Sequence, residues 1–340
     1  MLKETVKQLS TLNGISGREN EVRDYILSQI KDCADCKTDA LGNLIVFKKG
    51  KKTPSNKVML DAHMDEVGFI VTYITDDGLL KFSNVGGINT KVFLGRTVKV
   101  GKNGITGVVG LVPIHLTDKE KLRDIPEKDS LYIDIGASSR DEAMKYVKPG
   151  DSVCFDSGYV EFGENAVKCK ALDDRVGCAI LLEMIKSDLE YDMYFSFSVQ
   201  EEIGTRGAAA SSFETAPDYA ICVETTTASD IPGVEDEKRV CLLGAGAAVS
   251  FMDRSTLYNK ELFDSAFELA NENNVKIQTK TVVAGGNNAG AIHKSRGGVK
   301  VLTVSVPCRY LHSPSCVINW DDVEESRKII ELLCAEFANA

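Results

Sequence analysis

The stretch VMLDAHMDEVG, residues 58–68, marks the point where the pattern of the whole chain changes. It begins with an apolar run typical of a buried strand, and the run ends in His63 and Asp65. Residues i and i+2 of a strand share a face, so the imidazole and the carboxylate lie side by side. A metal-binding histidine needs a carboxylate or carbonyl to fix its ring. The stretch therefore predicts a strand that ends in a metal site, although two solvated polar residues would give the same pattern.

The regions on both sides of this stretch alternate between helices and strands. Helical spacing covers residues 2–9 and 16–30, with Ser16 and Glu19 placed as a capping box, and residues 43–47 form a strand pattern. This alternation predicts an α/β domain with a mixed sheet and helices on both of its faces. The later elements are predicted helices at 175–186, 207–212, 260–273 and 321–339, and predicted strands at 193–199, 219–223 and 299–306.

The region from residue 68 to about residue 163 differs, because short β runs follow one another with Gly-rich or charged turns between them. Strands at this spacing are typical of a small β barrel or sandwich. We therefore predict a discontinuous domain at 1–66 and 164–340, interrupted by a β-rich, barrel-like domain at 67–163. The predicted runs are 69–74, 79–85, 97–100, 105–112, 131–135 and 152–155, with one helix at 140–147.

The composition excludes several classes of partner. The chain has 340 residues and a net charge of -10, which disfavours binding to nucleic acid and to anionic membranes. No apolar run approaches the roughly 20 residues that a membrane span needs. The N-terminal segment is charged and helical, unlike a signal peptide. Ten cysteines are diluted over the whole chain, which indicates reduced thiols and a cytoplasmic protein.

Five polar clusters lie at or just after predicted strands of the sheet. In open α/β sheets, binding sites form beyond the carboxyl ends of the strands, so we expect these clusters to converge. Each cluster alone has a plainer explanation, such as a helix N-cap or a solvated strand end, but their joint occurrence favours a site. The clusters are His63 with Asp65, Asp173 with Asp174, Glu201 with Glu202, Glu224, and His312.

The chemistry of these clusters suits two divalent metal ions. Two histidines and three carboxylates can hold two Zn²⁺, Co²⁺ or Mn²⁺ ions with one carboxylate shared between them. Two such ions can polarise a carbonyl and activate a water. One acidic residue outside the metal shell must then take the proton of that water. The adjacent pair Glu201-Glu202 offers one side chain for each of these tasks.

Four motifs together resemble the tetrahedral dinuclear metallo-aminopeptidases, the group that holds glutamyl and deblocking aminopeptidases. The resemblance runs along the whole chain and includes the β-rich insertion. The motifs are His63–Gly68, Ala171–Arg175, Gln200–Gly207 and Arg309–Pro314.

The resemblance implies a role for each candidate residue. Asp173 would bridge both metals, and Asp65 would orient His63. Glu201 would be the general base and then the acid for the leaving amine. The family also implies that the β-rich insertion mediates dimerisation and that six dimers can close into a hollow dodecamer. The implied metal ligands are His63 and Glu224 for one ion, Glu202 and His312 for the other, and Asp173 for both.

The chain departs from the family's pattern at three points that bear on substrate preference and metal spacing. Glu224 replaces the usual Asp at one ligand position, Asn288 replaces an acid in the Gly-rich segment 285–290, and Gly246-Ala247-Ala248 replaces a Gly-Pro-Ala segment. Three basic residues, Lys294, Arg309 and Arg254, suggest a pocket for acidic side chains, although solvated loop residues would give the same pattern.

These observations predict a cytoplasmic, metal-dependent aminopeptidase that removes N-terminal residues from short peptides and forms a homo-oligomer. Three alternatives stay open at this point. A carboxypeptidase or dipeptidase of the same metal class would use the same ligands. A glycoside hydrolase would need two carboxylates and no metal, and an inactive scaffold protein would bind no metal.

Overall fold

The computed structural model describes residues 1–117, 120 and 124–340, and its centre is an eight-stranded mixed sheet. The four middle strands run parallel, and their apolar residues are buried on both faces, as parallel strands between two helical layers require. The strands are, in spatial order, β1 (Asp35–Thr38), β2 (Leu44–Lys48), β12 (Met193–Ser198), β3 (Val58–His63), β13 (Tyr219–Thr227), β16 (Lys300–Cys308), β14 (Ala247–Ser250) and β15 (Ile277–Lys280).

Helices cover both faces of this sheet, which confirms the predicted α/β fold class. The helix that begins at Leu172 is buried on almost every side, because it lies between the sheet and two N-terminal helices. One face carries α1 (Leu2–Thr11), α2 (Asn20–Ile30), α4 (Leu172–Lys186), α6 (Lys260–Glu272) and α8 (Trp320–Asn339), and the other carries α5 (Arg206–Thr215) and α7 (Ala289–Ile292).

The β-rich insertion folds as a closed six-stranded antiparallel barrel, so its strands leave no free edge. Its core is aromatic: the ring of Phe69 packs edge-on against Phe82, Phe93 and Phe155 at centroid distances of 5.0, 4.9 and 5.5 Å. The strands are, in order around the barrel, β4 (Gly68–Ile74), β5 (Leu80–Val85), β8 (Tyr132–Asp134), β7 (Ile105–Gly110), β6 (Thr97–Val100) and β9 (Ser152–Phe155).

A small third sheet connects the barrel to the main sheet. It consists of β10 (Val160–Phe162), β11 (Ala166–Cys169) and β17 (Cys316–Asn319). Strand β11 leads directly into the segment that carries Asp173, and β17 follows the segment that carries His312. This sheet therefore fixes two of the predicted site segments next to each other.

Two local predictions were wrong. Helix α2 begins at Asn20, and the Ser16 hydroxyl donates to Asp65 Oδ2 at 2.6 Å instead of capping the helix. The helix predicted at 140–147 is the shorter α3 (Arg140–Ala143). The division of the chain into domains at 66/67 and 163/164 stays a prediction. None of the helices described here has both the length and the apolar character to cross a bilayer.

Candidate metal centre

The five predicted ligands converge at the carboxyl edge of the parallel strands. Strand β3 ends at His63, which lies beside Ser198, the last residue of β12. The chain then turns so that Glu201 and Glu202 follow β12 at the same edge, while Glu224 lies within β13. Asp173 comes from the start of α4 and His312 from the loop after β16. One edge of the sheet therefore collects residues that are far apart in the sequence.

Asp173 lies between two groups of side chains and offers one carboxylate oxygen to each. Its Oδ1 is 3.4 Å from His63 Nε2, and its Oδ2 is 3.3 Å from His312 Nε2. On the first side, Glu224 Oε2 is 3.8 Å from His63 Nε2. On the second side, Glu202 Oε2 is 3.3 Å from His312 Nε2. A carboxylate placed in this way can bridge two ions.

Asp174 also belongs to this cluster, although it was not among the predicted ligands. The ligand atoms of His63, Asp174 and Glu224 all lie within 4.8 Å of one another, and the same holds for His63, Asp173 and Glu202. Asp174 Oδ1 accepts a hydrogen bond from the Gly177 amide at 3.1 Å. The carboxyl group is therefore held beside the first group of ligands.

Both histidine rings are oriented by backbone carbonyls. His63 Nδ1 lies 3.0 Å from the Asp65 carbonyl oxygen, and His312 Nδ1 lies 2.9 Å from the Gly87 carbonyl oxygen. A carbonyl oxygen can only accept a hydrogen bond, so each Nδ1 carries the hydrogen. Each Nε2 of a neutral ring then presents its lone pair to the centre, as a metal ligand must.

The Asp65 carboxylate contacts His63 and also the turn that carries Glu201 and Glu202. Its Oδ1 is 3.5 Å from His63 Nδ1 and accepts a hydrogen bond from the Glu201 amide at 3.0 Å. Its Oδ2 accepts from the Glu202 amide at 3.1 Å and from the Ser16 hydroxyl. Asp65 therefore fixes the backbone of the turn that carries both glutamates.

The electrostatics of the cluster fit a bound cation. Burial raises the pKa values of Glu202 and Glu224 well above the usual range, and nearby carboxylates add to the rise. Burial alone would lower the pKa of His312, but the hydrogen bond with Asp173 and the charge of Glu202 raise it to about 10. A cluster of this kind retains extra protons, which divalent ions displace when they bind.

Unpartnered oxygens point to the same conclusion. Glu224 Oε1 and Asp174 Oδ2 are buried and have no hydrogen-bond partner among the described residues. Within that same set, no lysine or arginine pairs with the carboxylates of the cluster. Buried carboxylates are ordinarily paired or bound to a metal, so the donor set fits divalent ions.

The cluster lines a cavity of about 650 Å³. The segment from Ala284 to Asn287 forms another part of the cavity wall, and two lysines, Lys280 and Lys294, also line the cavity. Of the three basic residues suggested by the sequence, Lys294 lines the cavity. Arg309 instead pairs with Asp230, with Nε 2.7 Å from Oδ1, and Arg254 is not among the residues that line the cavity.

Relatives of the chain are aminopeptidases by name. A putative aminopeptidase of Acetivibrio thermocellus is 40% identical over 97% of this chain and 98% of its own length. The lysyl aminopeptidase of Pyrococcus furiosus is 33% identical over 98% of this chain and 96% of its own. The glutamyl aminopeptidase of Lactococcus lactis is 31% identical over 98% of this chain and 95% of its own length.

Solved structures with the same fold carry two kinds of title. The Pyrococcus horikoshii TET1 peptidase, which assembles into a tetrahedron or an octahedral shell, is 36% identical with a TM-score of 0.87, over 98% of this chain and 99% of its own. A Thermotoga maritima protein titled endoglucanase is 38% identical with a TM-score of 0.81, over 98% of each chain. Residues 42–329 match the peptidase family described as M42 glutamyl aminopeptidase, and the chain belongs to this family of metal-dependent aminopeptidases.

Proposed function

We propose that the chain removes N-terminal residues from short peptides with two divalent metal ions, Zn²⁺, Co²⁺ or Mn²⁺. Asp173 would bridge the ions, His63 and Glu224 would complete one shell, and Glu202 and His312 the other. The main support is the position of Asp173, whose two oxygens face the two histidines from opposite sides. When bound, the ions would polarise the scissile carbonyl and lower the pKa of a water.

Glu201 is the proposed general base. It lines the cavity next to Glu202, and its backbone is held by the Asp65 carboxylate. Burial raises the pKa of Glu201 to about 7, so its carboxyl group can both take up and release a proton near neutral pH. It would accept the proton of the attacking water and pass it to the nitrogen of the leaving amine.

The substitution Glu201→Gln tests this role, because an amide cannot accept the proton but has nearly the same size. We expect the variant to bind both ions and to lose about 100-fold or more of its turnover. Glu164→Gln is the matched control, because Glu164 is exposed in the turn between β10 and β11 and does not line the cavity. Unchanged turnover in Glu201→Gln would refute the role of this residue.

Assays with other substrates and with a chelator separate the alternative reactions. A peptide with a blocked N-terminus should resist cleavage by an aminopeptidase and be cleaved by a carboxypeptidase. A chelator should stop peptide cleavage, whereas release of reducing sugar from a glucan would support the glycoside hydrolase instead. An inactive scaffold would retain no metal after purification in metal-supplemented buffer.

We further propose that the enzyme prefers an acidic N-terminal residue, and Lys280 carries this proposal. Lys280 ends the edge strand β15, is 8% exposed and lines the cavity. No hydrogen bond or ion pair of its ammonium group occurs among the described residues. Lys170 shows the usual arrangement, since its buried ammonium contacts both Glu66 oxygens, at 2.7 and 2.9 Å. A lysine that lines the cavity and has no protein partner among the described residues suits a substrate carboxylate that enters the cavity.

Similarity alone does not decide this preference, because relatives named for lysyl and for glutamyl substrates match about equally well. The substitution Lys280→Met should lower kcat/KM for glutamyl substrates at least about ten-fold relative to leucyl substrates. Lys280→Glu should move the preference toward lysyl substrates.

Lys294→Met is the control for these variants, since Lys294 is exposed and its charge is solvated. It should change the preference by less than about three-fold. An equal effect of both lysine substitutions, or a leucyl preference in the unmodified enzyme, would contradict the proposal.

A homo-oligomer is also proposed, with the 67–163 region as the dimerisation domain and a dodecamer as the full assembly. Ile114 and Leu116 support this proposal. They lie between β7 and β8 in the chain, and their apolar side chains are 75% and 67% exposed, as a surface covered by a second copy would be. The double substitution Ile114→Ser and Leu116→Ser should lower the mass in light scattering, and a monomeric unmodified chain would contradict the proposal. A cytoplasmic location stays a prediction.

A further inference from the structure

Asp61 is a buried carboxylate below the candidate metal centre that none of the roles above explains. It lies two residues before His63 on the same face of β3 and has no accessible surface. Its Oδ2 accepts hydrogen bonds from Asn288 Nδ2 at 2.7 Å and from Ser198 Oγ at 3.3 Å. Its Oδ1 has no partner among the described residues, and no cationic side chain in that set pairs with it. The Asn288 amide is therefore its main partner.

Asn288 connects three parts of the site. Its amide nitrogen also contacts Ser198 Oγ at 2.8 Å, at the end of the strand that precedes Glu201. Its backbone directly follows the wall segment Ala284–Asn287, which lines the cavity. Among the described residues, this side chain is therefore the direct bridge from that wall to both strand ends.

The side-chain contacts of Asn287 reach other elements. Asn287 Nδ2 donates to the Tyr258 hydroxyl at 3.2 Å, and Tyr258 in turn donates to Asp253 Oδ2 at 2.6 Å. Asn287 Oδ1 accepts from Thr303 Oγ1 at 3.4 Å. These bonds fix the wall to β16 and to the loop before α6, but they do not reach β3 or β12, the strands of Asp61 and Ser198.

We propose that Asp61 and Asn288 form a positioning pair, one donor facing one acceptor, that holds the cavity wall at a set distance from the metal-binding strand ends. The inference rests on the proposed function only in that this cavity receives the N-terminal residue of the substrate. The pair needs a hydrogen on one of its two facing atoms. A leucine at position 288 has nearly the size of asparagine but offers no donor, so it would leave Asp61 Oδ2 without its 2.7 Å hydrogen bond.

Three variants test the pair. Asn288→Leu removes the donor and should raise KM for aminoacyl substrates more than about ten-fold, with a smaller change in kcat and in metal content. Asp61→Asn should stay within about three-fold of the unmodified enzyme, because its amide oxygen still accepts a hydrogen bond. The double variant Asp61→Asn with Asn288→Asp exchanges the donor and the acceptor, and it should restore KM to within about three-fold.

Asn273→Leu is the control for the lost amide, because the exposed Asn273 side chain donates to the Leu269 carbonyl at 2.9 Å. A role in folding alone would lower Tm and leave the KM of the folded enzyme unchanged, so an unchanged KM in Asn288→Leu would overturn the proposal. So would a double variant that is as impaired as Asn288→Leu. If Asn288→Leu is insoluble, Asn288→Ala reports on KM, and the folding and KM of the double variant decide. If the unmodified enzyme cleaves no aminoacyl substrate, the proposed function is refuted instead. Recovery of Tm in the double variant then tests the pair.

Discussion

Replacing Lys170 by methionine removes the cation from a buried ion pair next to the metal centre. Lys170 Nζ contacts Glu66 Oε1 and Oε2 at 2.7 and 2.9 Å and the Leu12 carbonyl at 2.7 Å. Both side chains of the pair are 3% exposed. Breaking a buried pair of this kind costs about 3–5 kcal/mol, because the remaining charge is left without compensation. We expect the lower end, about 3 kcal/mol, because two other groups still contact Glu66. These groups are Arg175, with an Nη2 to Oε1 distance of 3.6 Å, and the Gly14 amide at 3.1 Å.

This loss should appear as a drop in Tm of about 4 °C by calorimetry. The drop is the lost free energy divided by the unfolding entropy, which is near 2.1 cal/mol/K per residue over 340 residues. Adding Glu66→Gln removes the remaining charge, which Arg175 compensates only in part, and should recover about half of the loss. Lys260→Met, which breaks an exposed pair with Asp264, should cost less than about 1 kcal/mol. A Tm equal to that of the unmodified chain, or a double variant less stable than Lys170→Met, would refute the reasoning.

Three further perturbations follow from single contacts. Ser16→Ala removes the hydroxyl that donates to Asp65 and should lower the free energy of unfolding by about 1–2 kcal/mol in urea titration, with metal content unchanged; no loss would show that this bond is not formed in solution. Gly290→Ala would place a Cβ 2.4 Å from Ser255 Oγ and should cost about 1–3 kcal/mol, part of which Ser255→Ala restores if this clash is the cause. Removal of metal by a chelator should abolish peptide cleavage and lower Tm, and addition of Zn²⁺ or Co²⁺ should restore both; activity that survives complete removal would argue against metal dependence.

The sequence predicts the central layers of the fold because their signals are strong. Strand β3 and helix α4 are apolar over most of their length, so periodicity and length identify them. The polar residues after β3 and β12 were predicted to meet because parallel strands end at one edge of a sheet. The structure brings His63 and Glu202 to that edge. Their role as ligands stays a prediction.

The sequence did not reveal the outer strands of the sheet or the contacts that depend on them. Strand β15 is short and mostly polar, so it resembles a loop, and without it Lys280 has no expected place at the cavity. Asp61 and Asn288 are far apart in the sequence, and only the packing of α7 on the sheet brings them together. The false capping box has a similar origin. Ser16 and Glu19 match a local pattern, but Ser16 donates to the distant Asp65, and Glu19 accepts from the Gly17 amide and from the distant Gln200 amide.

Metal stoichiometry tests the two-ion centre most directly. The chain, loaded with Zn²⁺ or Co²⁺ and desalted, should contain two ions per chain by elemental analysis. His312→Ala should contain one, since His63, Asp173 and Glu224 remain for the other ion. One ion or none in the unmodified chain, or two ions in His312→Ala, would contradict the account.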